Sequence, residues 1–109
     1  MSYEQFVSLM ESQSDWILFK HSGRCSISWW ACREIQVAIN SLHLDNIYQL
    51  DVMNTGDLKY QIADFLKIKH ESPQLIIFRK DKKPSYANHS SITVWWITDQ
   101  LVWRHDTRK

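Results

Sequence analysis

Two wholly apolar runs, Trp16-Ile17-Leu18-Phe19 and Leu75-Ile76-Ile77-Phe78, interrupt a chain that is otherwise patterned in helical steps. Continuous apolar runs of this length read as strands buried on both faces. Ahead of the first, Phe6, Leu9 and Met10 recur at helical spacing over Tyr3 to Glu11. Ser2 is placed to cap that helix, and Glu4 lies in its first turn, where a negative charge suits the dipole. After Cys25, the residues Ile27, Ala31, Ile35, Ala38, Ile39 and Leu42 step by three and four, which predicts a long helix. Ile47 to Val52 is a second strand, so the first two strands bracket a helix and should pair in parallel with a right-handed crossover. Asn54-Thr55-Gly56-Asp57 is a turn and cap cluster, and Leu58, Ile62, Phe65 and Leu66 form the apolar stripe of a further helix.

His70-Glu71-Ser72-Pro73 breaks that helix before the second apolar run. Asp81-Lys82-Lys83-Pro84 is turn chemistry, so Tyr86 to His89 should return antiparallel to the run before it. Ser90-Ser91 is placed to cap a last helix from Ile92 to about Trp103, whose Trp95, Trp96, Ile97, Leu101 and Val102 would cover one sheet face. The order α-β-α-β-α-β-β-α, with a proline just ahead of the third strand, is that of the thioredoxin-like α/β fold. It implies a four-stranded mixed sheet with helices on both faces, and residues 1–109 read as one such domain.

Composition narrows the function more than the fold. Hydrophobic residues at 44%, charged residues at 23%, two glycines and two prolines exclude a disordered or fibrous chain. A net charge of +1 gives no broad attraction for nucleic acid or anionic lipid, and the basic end from Arg104 to Lys109 reads as a solvated tail. The start of the chain lacks a basic region followed by an apolar one, and no apolar stretch approaches membrane-spanning length. The expectation is a cytoplasmic protein with neither nucleic-acid nor membrane partner. Six tryptophans in 109 residues should be mostly buried or at an interface. The five histidines are scattered and Cys25 with Cys32 lacks zinc-ligand spacing, so no metal site is expected.

The candidate chemistry lies in Phe19-Lys20-His21-Ser22-Gly23-Arg24-Cys25-Ser26-Ile27-Ser28, where a strand turns at a glycine and delivers a cysteine to a helix N-terminus. Unpaired amides and the helix dipole stabilise a thiolate there. Cysteine is also a frequent core residue, so local context leaves a reactive thiol and a small packed side chain both open. Arg24 beside it is either a guanidinium that favours the thiolate and binds a carboxylate, or a solvated turn residue. Lys20, His21 and His70 are lesser candidates. Trp29, four residues beyond Cys25, should share its helix face and lie at the rim, with Trp30 turned to the core. Cys32 is the one internal candidate for a resolving thiol. Seven helical residues span roughly 10 Å, beyond the ~7 Å Cα separation a disulfide tolerates, so closure would need the helix to unwind. The other reading of Cys32 is a packed or half-exposed bystander.

Three motifs carry a family resemblance: Phe19-Lys20-His21-Ser22 with Cys25-Ser26-Ile27-Ser28, then Lys69-His70-Glu71-Ser72-Pro73-Gln74, then His89 to Val94. Together they resemble the monothiol bacilliredoxin family. Its thiol motif usually reads Thr-Cys-Pro-Ile-Ser, where this chain has Arg24 and Ser26. The resemblance implies a thioredoxin-like fold and thiol–disulfide exchange with bacillithiol, a low-molecular-weight thiol that some bacteria use in place of glutathione. It makes Cys25 the nucleophile and places Ser28 where dithiol relatives carry a second cysteine. It implies that Pro73 is cis and faces Cys25, and that Arg24, Ser26, Ser28, Ser72 and Pro73 bind substrate. Bacillithiol is then a co-substrate, with no permanently bound cofactor, and the partners are bacillithiolated client proteins. Cys25-Ser-Ile-Ser28 also resembles superficially the motif of cluster-sharing monothiol glutaredoxins, but it lacks their glycine, and a side chain there would crowd a cluster. A second reading, prompted by Arg24 and Ser26, is a thioredoxin-fold binding module whose cysteine is vestigial.

Overall fold

Period-two alternation along the strands sends successive side chains to opposite faces, and both faces here are apolar. The computed structural model describes residues 1–12, 14–23 and 26–102, with the backbone alone for residues 26 and 27. The helices are α1 (Tyr3–Glu11), α2 (Ser26–Leu42), α3 (Leu58–Leu66) and α4 (Val94–Leu101), and the strands β1 (Trp16–His21), β2 (Ile47–Asp51), β3 (Gln74–Phe78) and β4 (Ser85–Asn88). The strands form one sheet in the order β2-β1-β3-β4. β1 pairs parallel with β2 and β3 pairs antiparallel with β4, as the order of elements predicts, and β1 also pairs antiparallel with β3.

One face of the sheet carries Ile17, Phe19, Leu75 and Ile77, which pack with Ala31, Ile35 and Ala38 of α2 and Ile97 of α4. The other carries Trp16, Leu18, Ile76 and Phe78, which pack with Phe6 of α1 and with Leu58 and Ile62 of α3. α1 begins in a capping box: the Ser2 hydroxyl accepts from the Gln5 amide, and the Gln5 side chain accepts from the Ser2 amide. The start of α4 is tied to α2 by the Val94 amide, which donates to Glu34 Oε1 at 2.9 Å.

Several local expectations are corrected. β2 stops at Asp51, because the Asp51 carboxylate accepts from the Met53 amide and turns the chain into a 3-10 helix over Val52–Asn54. The last helix starts at Val94, capped by the Thr93 hydroxyl on the Trp96 amide, while Ser90 and Ser91 lie in a preceding 3-10 turn. Within α4, Ile97 is buried, and Trp95, two positions or roughly 200° away, is 83% exposed. Val102 is exposed as well, so only part of the expected stripe covers the sheet. Phe65 is exposed, with its ring edge-on to Phe6 at 5.3 Å. Of the described tryptophans only Trp16 is fully buried, while Trp29, Trp30 and Trp95 are exposed, which leaves for these three the interface half of the expectation.

Candidate functional site

The site lies at the end of the sheet where β1 finishes, between the start of α2 and the loop ahead of β3. After His21, whose ring stacks on Phe19 at 5.3 Å, the chain leaves the sheet and turns at Gly23. The Ser22 amide donates to Ser28 Oγ at 3.2 Å, which fastens the exit of β1 to the first turn of α2. Ser28 is buried, so its hydroxyl is engaged in holding the loop. Arg24 and Cys25 lie outside the described residues, as do the side chain of Ser26 and the relation of Cys25 to Pro73. The chain requires that Cys25 is bonded to Ser26, the first residue of α2.

Cys32 is exposed and lines a hollow of about 190 Å³ with Ser22, Gly23, Ser28 and Trp29. Trp29 is 56% exposed, meets Trp30 edge-on at 5.4 Å, and has the Arg33 guanidinium 5.2 Å from its ring centre. Trp30 is 60% exposed, against the expectation that it turns to the core. The buried stripe of α2 is built on Ala31, Ile35 and Ala38. A residue one position before Ala31 is rotated about 100° away from it, and the small alanines leave the sheet no room for an indole.

At the same end of the sheet is the loop Lys69 to Gln74. The Ser72–Pro73 peptide is cis, and the Pro73 carbonyl accepts from the His89 amide at 2.9 Å, joining the loop to the end of β4. Glu71 receives Lys69 at 3.5 Å and His89 Nε2 at 3.3 Å. Two buried polar atoms, Ser72 Oγ and His70 Nδ1, have no hydrogen-bond partner among the described residues.

Beneath the loop, Lys20 and Gln74 stand opposite each other across β1 and β3, both with 0% exposure. Lys20 Nζ donates to Gln74 Oε1 at 2.7 Å, while Gln74 Nε2 donates to the Lys69 carbonyl at 3.0 Å and to Asn88 Oδ1 at 2.9 Å. Burial pulls the Lys20 ammonium down from 10.5 to about 8, partly opposed by the charge of Glu71. Burial also lowers the pKa of His70, helped by the positive charges of Lys20 and Lys59 and opposed by Glu71. Sequence reasoning marked Lys20 as a lesser candidate and missed Gln74 and Asn88. Lys20 follows Trp16 and Leu18 at period two, so the pattern contains the signal for an inward-facing lysine.

Among the described residues no group of three His, Cys, Asp or Glu side chains could hold a metal ion, and no helix is long and apolar enough to cross a membrane.

A family model described as monothiol bacilliredoxin BrxC matches residues 1–97. A solved structure described as a candidate oxidoreductase with a thioredoxin fold is 30% identical, with a TM-score of 0.80, covering 90% of this chain and 87% of its own. Chloroplastic thioredoxin z, at 16% identity, has a TM-score of 0.69 over 97% of this chain and 92% of its own. Thioredoxin O2 from Arabidopsis thaliana in the oxidised state has the same identity of 16% and the same TM-score of 0.69, over 92% and 89%. The last two bear on the fold alone, and the fold is that of thioredoxin.

Proposed function

Because the chain belongs to the monothiol bacilliredoxin family and with it has a thiol redox role, we propose that it removes bacillithiol from mixed disulfides on client proteins, with Cys25 as the nucleophile. The family match over residues 1–97 carries this reading, since it spans both the Cys25 motif and the Pro73 loop. In the first step the Cys25 thiolate attacks the bacillithiol sulfur of the mixed disulfide. A bond forms between Cys25 and bacillithiol, the bond to the client sulfur breaks, and the client leaves as a thiolate that takes a proton from water. In the second step free bacillithiol attacks the Cys25 adduct, which yields bacillithiol disulfide and restores the Cys25 thiolate.

The start of α2 favours the thiolate, and Arg24 and Ser26 beside it would meet the carboxylates of bacillithiol. Ser28 holds the loop through Ser22, while the backbone of Ser72 ahead of Pro73 offers the edge on which the peptide-like part of the substrate pairs. Cys32 does not act in this scheme.

The test is intact mass after exposure to bacillithiol disulfide or to glutathione disulfide. The expected result is a single bacillithiol adduct, stronger than any glutathione adduct, that is absent in Cys25→Ser and kept in Cys32→Ser with turnover unchanged. No adduct, with a Cys25 thiol titrating near its ordinary value, would overturn the enzyme reading in favour of a binding module. Turnover lost in Cys32→Ser with the adduct retained would make Cys32 the resolving thiol.

A further inference from the structure

Trp95 is 83% exposed, and it is set among other apolar side chains that the fold leaves uncovered. Glu34 Oε1 accepts from the Val94 amide at 2.9 Å, so α4 starts against the turn of α2 that carries Glu34. Val37 lies three residues after Glu34 and Trp30 four before it, which puts both on the same face of α2, and both are exposed. Farther along, Leu42 lines one hollow with Leu101 and Val102, so the two helices run side by side in the same sense. Val102 is exposed there. The outer surface of α2 and α4 is thus one apolar face, with Trp95 and Val37 at its centre, Val102 toward one end and Trp30 at the rim.

The charges on these helices are few. α2 and α4 carry Arg33, Glu34 and Asp99 and no lysine, and Glu34 is engaged by Val94. Sparse charge together with exposed tryptophan and arginine is the composition of the centre of a protein interface, not of a solvated surface. Arg33, on the outer side of α2, lies over the Trp29 ring, and Asp99, four residues after Trp95, shares its face of α4. Both are exposed, and among the described residues neither is in an ion pair. We infer that this face joins two copies of the chain. A face carrying one free cation and one free anion is complementary to itself. A two-fold axis along the helices lays α2 of each copy on α4 of the other, which sets Val37 against Trp95 and Arg33 within reach of Asp99, each contact made twice. Trp95 alone offers roughly 150–200 Å² of surface, and with its apolar neighbours it supplies the centre that an interface of about 800 Å² per copy requires.

The experiment is sedimentation velocity of the full chain, kept reduced so that no disulfide joins the exposed Cys32 of two copies. From about 1 µM to about 500 µM the mass should rise from one chain to two, with a dissociation constant on the order of tens of micromolar. Trp95→Ser should weaken association about tenfold or more, and Arg33→Asp, which sets two acids against each other, by a similar factor. The double variant Arg33→Asp with Asp99→Arg restores the opposite charges and should recover the parental constant. Because Trp95, Arg33 and Asp99 are exposed in the single chain, thermal melts of these variants at about 1 µM should match the parent, which separates loss of association from loss of fold. A parent that stays a single chain throughout, whether the face is left to water or serves a different protein, overturns the inference. So does a dimer whose constant ignores Trp95→Ser and Arg33→Asp, and so does growth beyond two chains, since a two-fold face closes on itself. None of these readouts involves a thiol reaction, so a failure here is distinct from a failure to form the bacillithiol adduct.

Discussion

Lys20 and Gln74, 54 residues apart in the chain, meet at 2.7 Å between Nζ and Oε1 in the interior of the sheet. Gln74→Ala takes away that acceptor and leaves the ammonium buried alone, a change that costs about 3 kcal/mol or more. In the background of Lys20→Met the same substitution should cost roughly 1–2 kcal/mol less, since no charge is left stranded. Urea denaturation of the four proteins of this double-mutant cycle measures the coupling. Additive losses would mean that the contact contributes nothing to the fold.

Lys20 also gives stability a slope with pH. The folded chain releases this proton at about 8, whereas the ordinary value is 10.5, so between those values the unfolded chain binds more protons. Stability therefore rises with pH through that window, and the penalty is present in full below it. Over the whole window the gain is on the order of 3 kcal/mol. Lys20→Met should lack this slope, so its advantage over the parent in urea midpoint should narrow from pH 7.5 to pH 10. An equal gap at both values would place the lysine in contact with water.

His70 acts in the same sense at lower pH. Its pKa is lowered by burial and by the charges of Lys20 and Lys59, so the unfolded chain takes up a proton first as acid is added. The stabilisation is complete above 6.5 and declines as the pH falls below it. His70→Gln should flatten the dependence between pH 6.5 and pH 5, as measured by thermal melts at several pH values.

The tryptophans divide into two classes. Trp16 stacks on Phe78 at 4.1 Å in the core, so Trp16→Ala should cost about 3–5 kcal/mol. Trp30→Ala should stay within roughly 0.5 kcal/mol of the parent, because its ring is mostly in solvent. Thermal melts compare them, and a loss of several degrees in Trp30→Ala would contradict the exposed position.

Ser28→Cys converts the motif into a Cys-x-x-Cys pair. The family reading predicts that this variant, after exposure to bacillithiol disulfide, ends as an internal disulfide two mass units below the reduced chain and not as a stable adduct. It should also lose about 1 kcal/mol, since a thiol is a poorer acceptor for the Ser22 amide. A persistent adduct in Ser28→Cys would show that the two sulfurs cannot meet.

What was legible in the chain is what is fixed locally. The runs at Trp16 and Leu75 gave the inner strands, and Ser2 with Glu4 marked the first helix, because strands and caps depend on near neighbours. The partnership of Lys20 with Gln74 was not legible, since it depends on the register of β1 against β3, which no local signal sets. Thr93 outcompeted Ser90 and Ser91 as a cap because Ile92 and Thr93 are both extended, so the α-helix cannot start before Val94. The cis peptide ahead of Pro73 was legible through the family motif and not through the pattern of apolar residues.

Two of the contacts that tie the elements together are remote in sequence. Lys20 reaches Gln74 across 54 residues, and Glu34 holds the Val94 amide across 60. Closing loops of that length is paid for in entropy before any contact returns it, so such pairings form with the global fold and not ahead of it. In a chain still emerging, or one unfolded by heat, neither pairing is in place and the Lys20 ammonium is in water. The shielding of this amine is then a property of the complete chain topology, which makes the rate of acylation at Lys20 a probe of when the last long-range strand pairing closes.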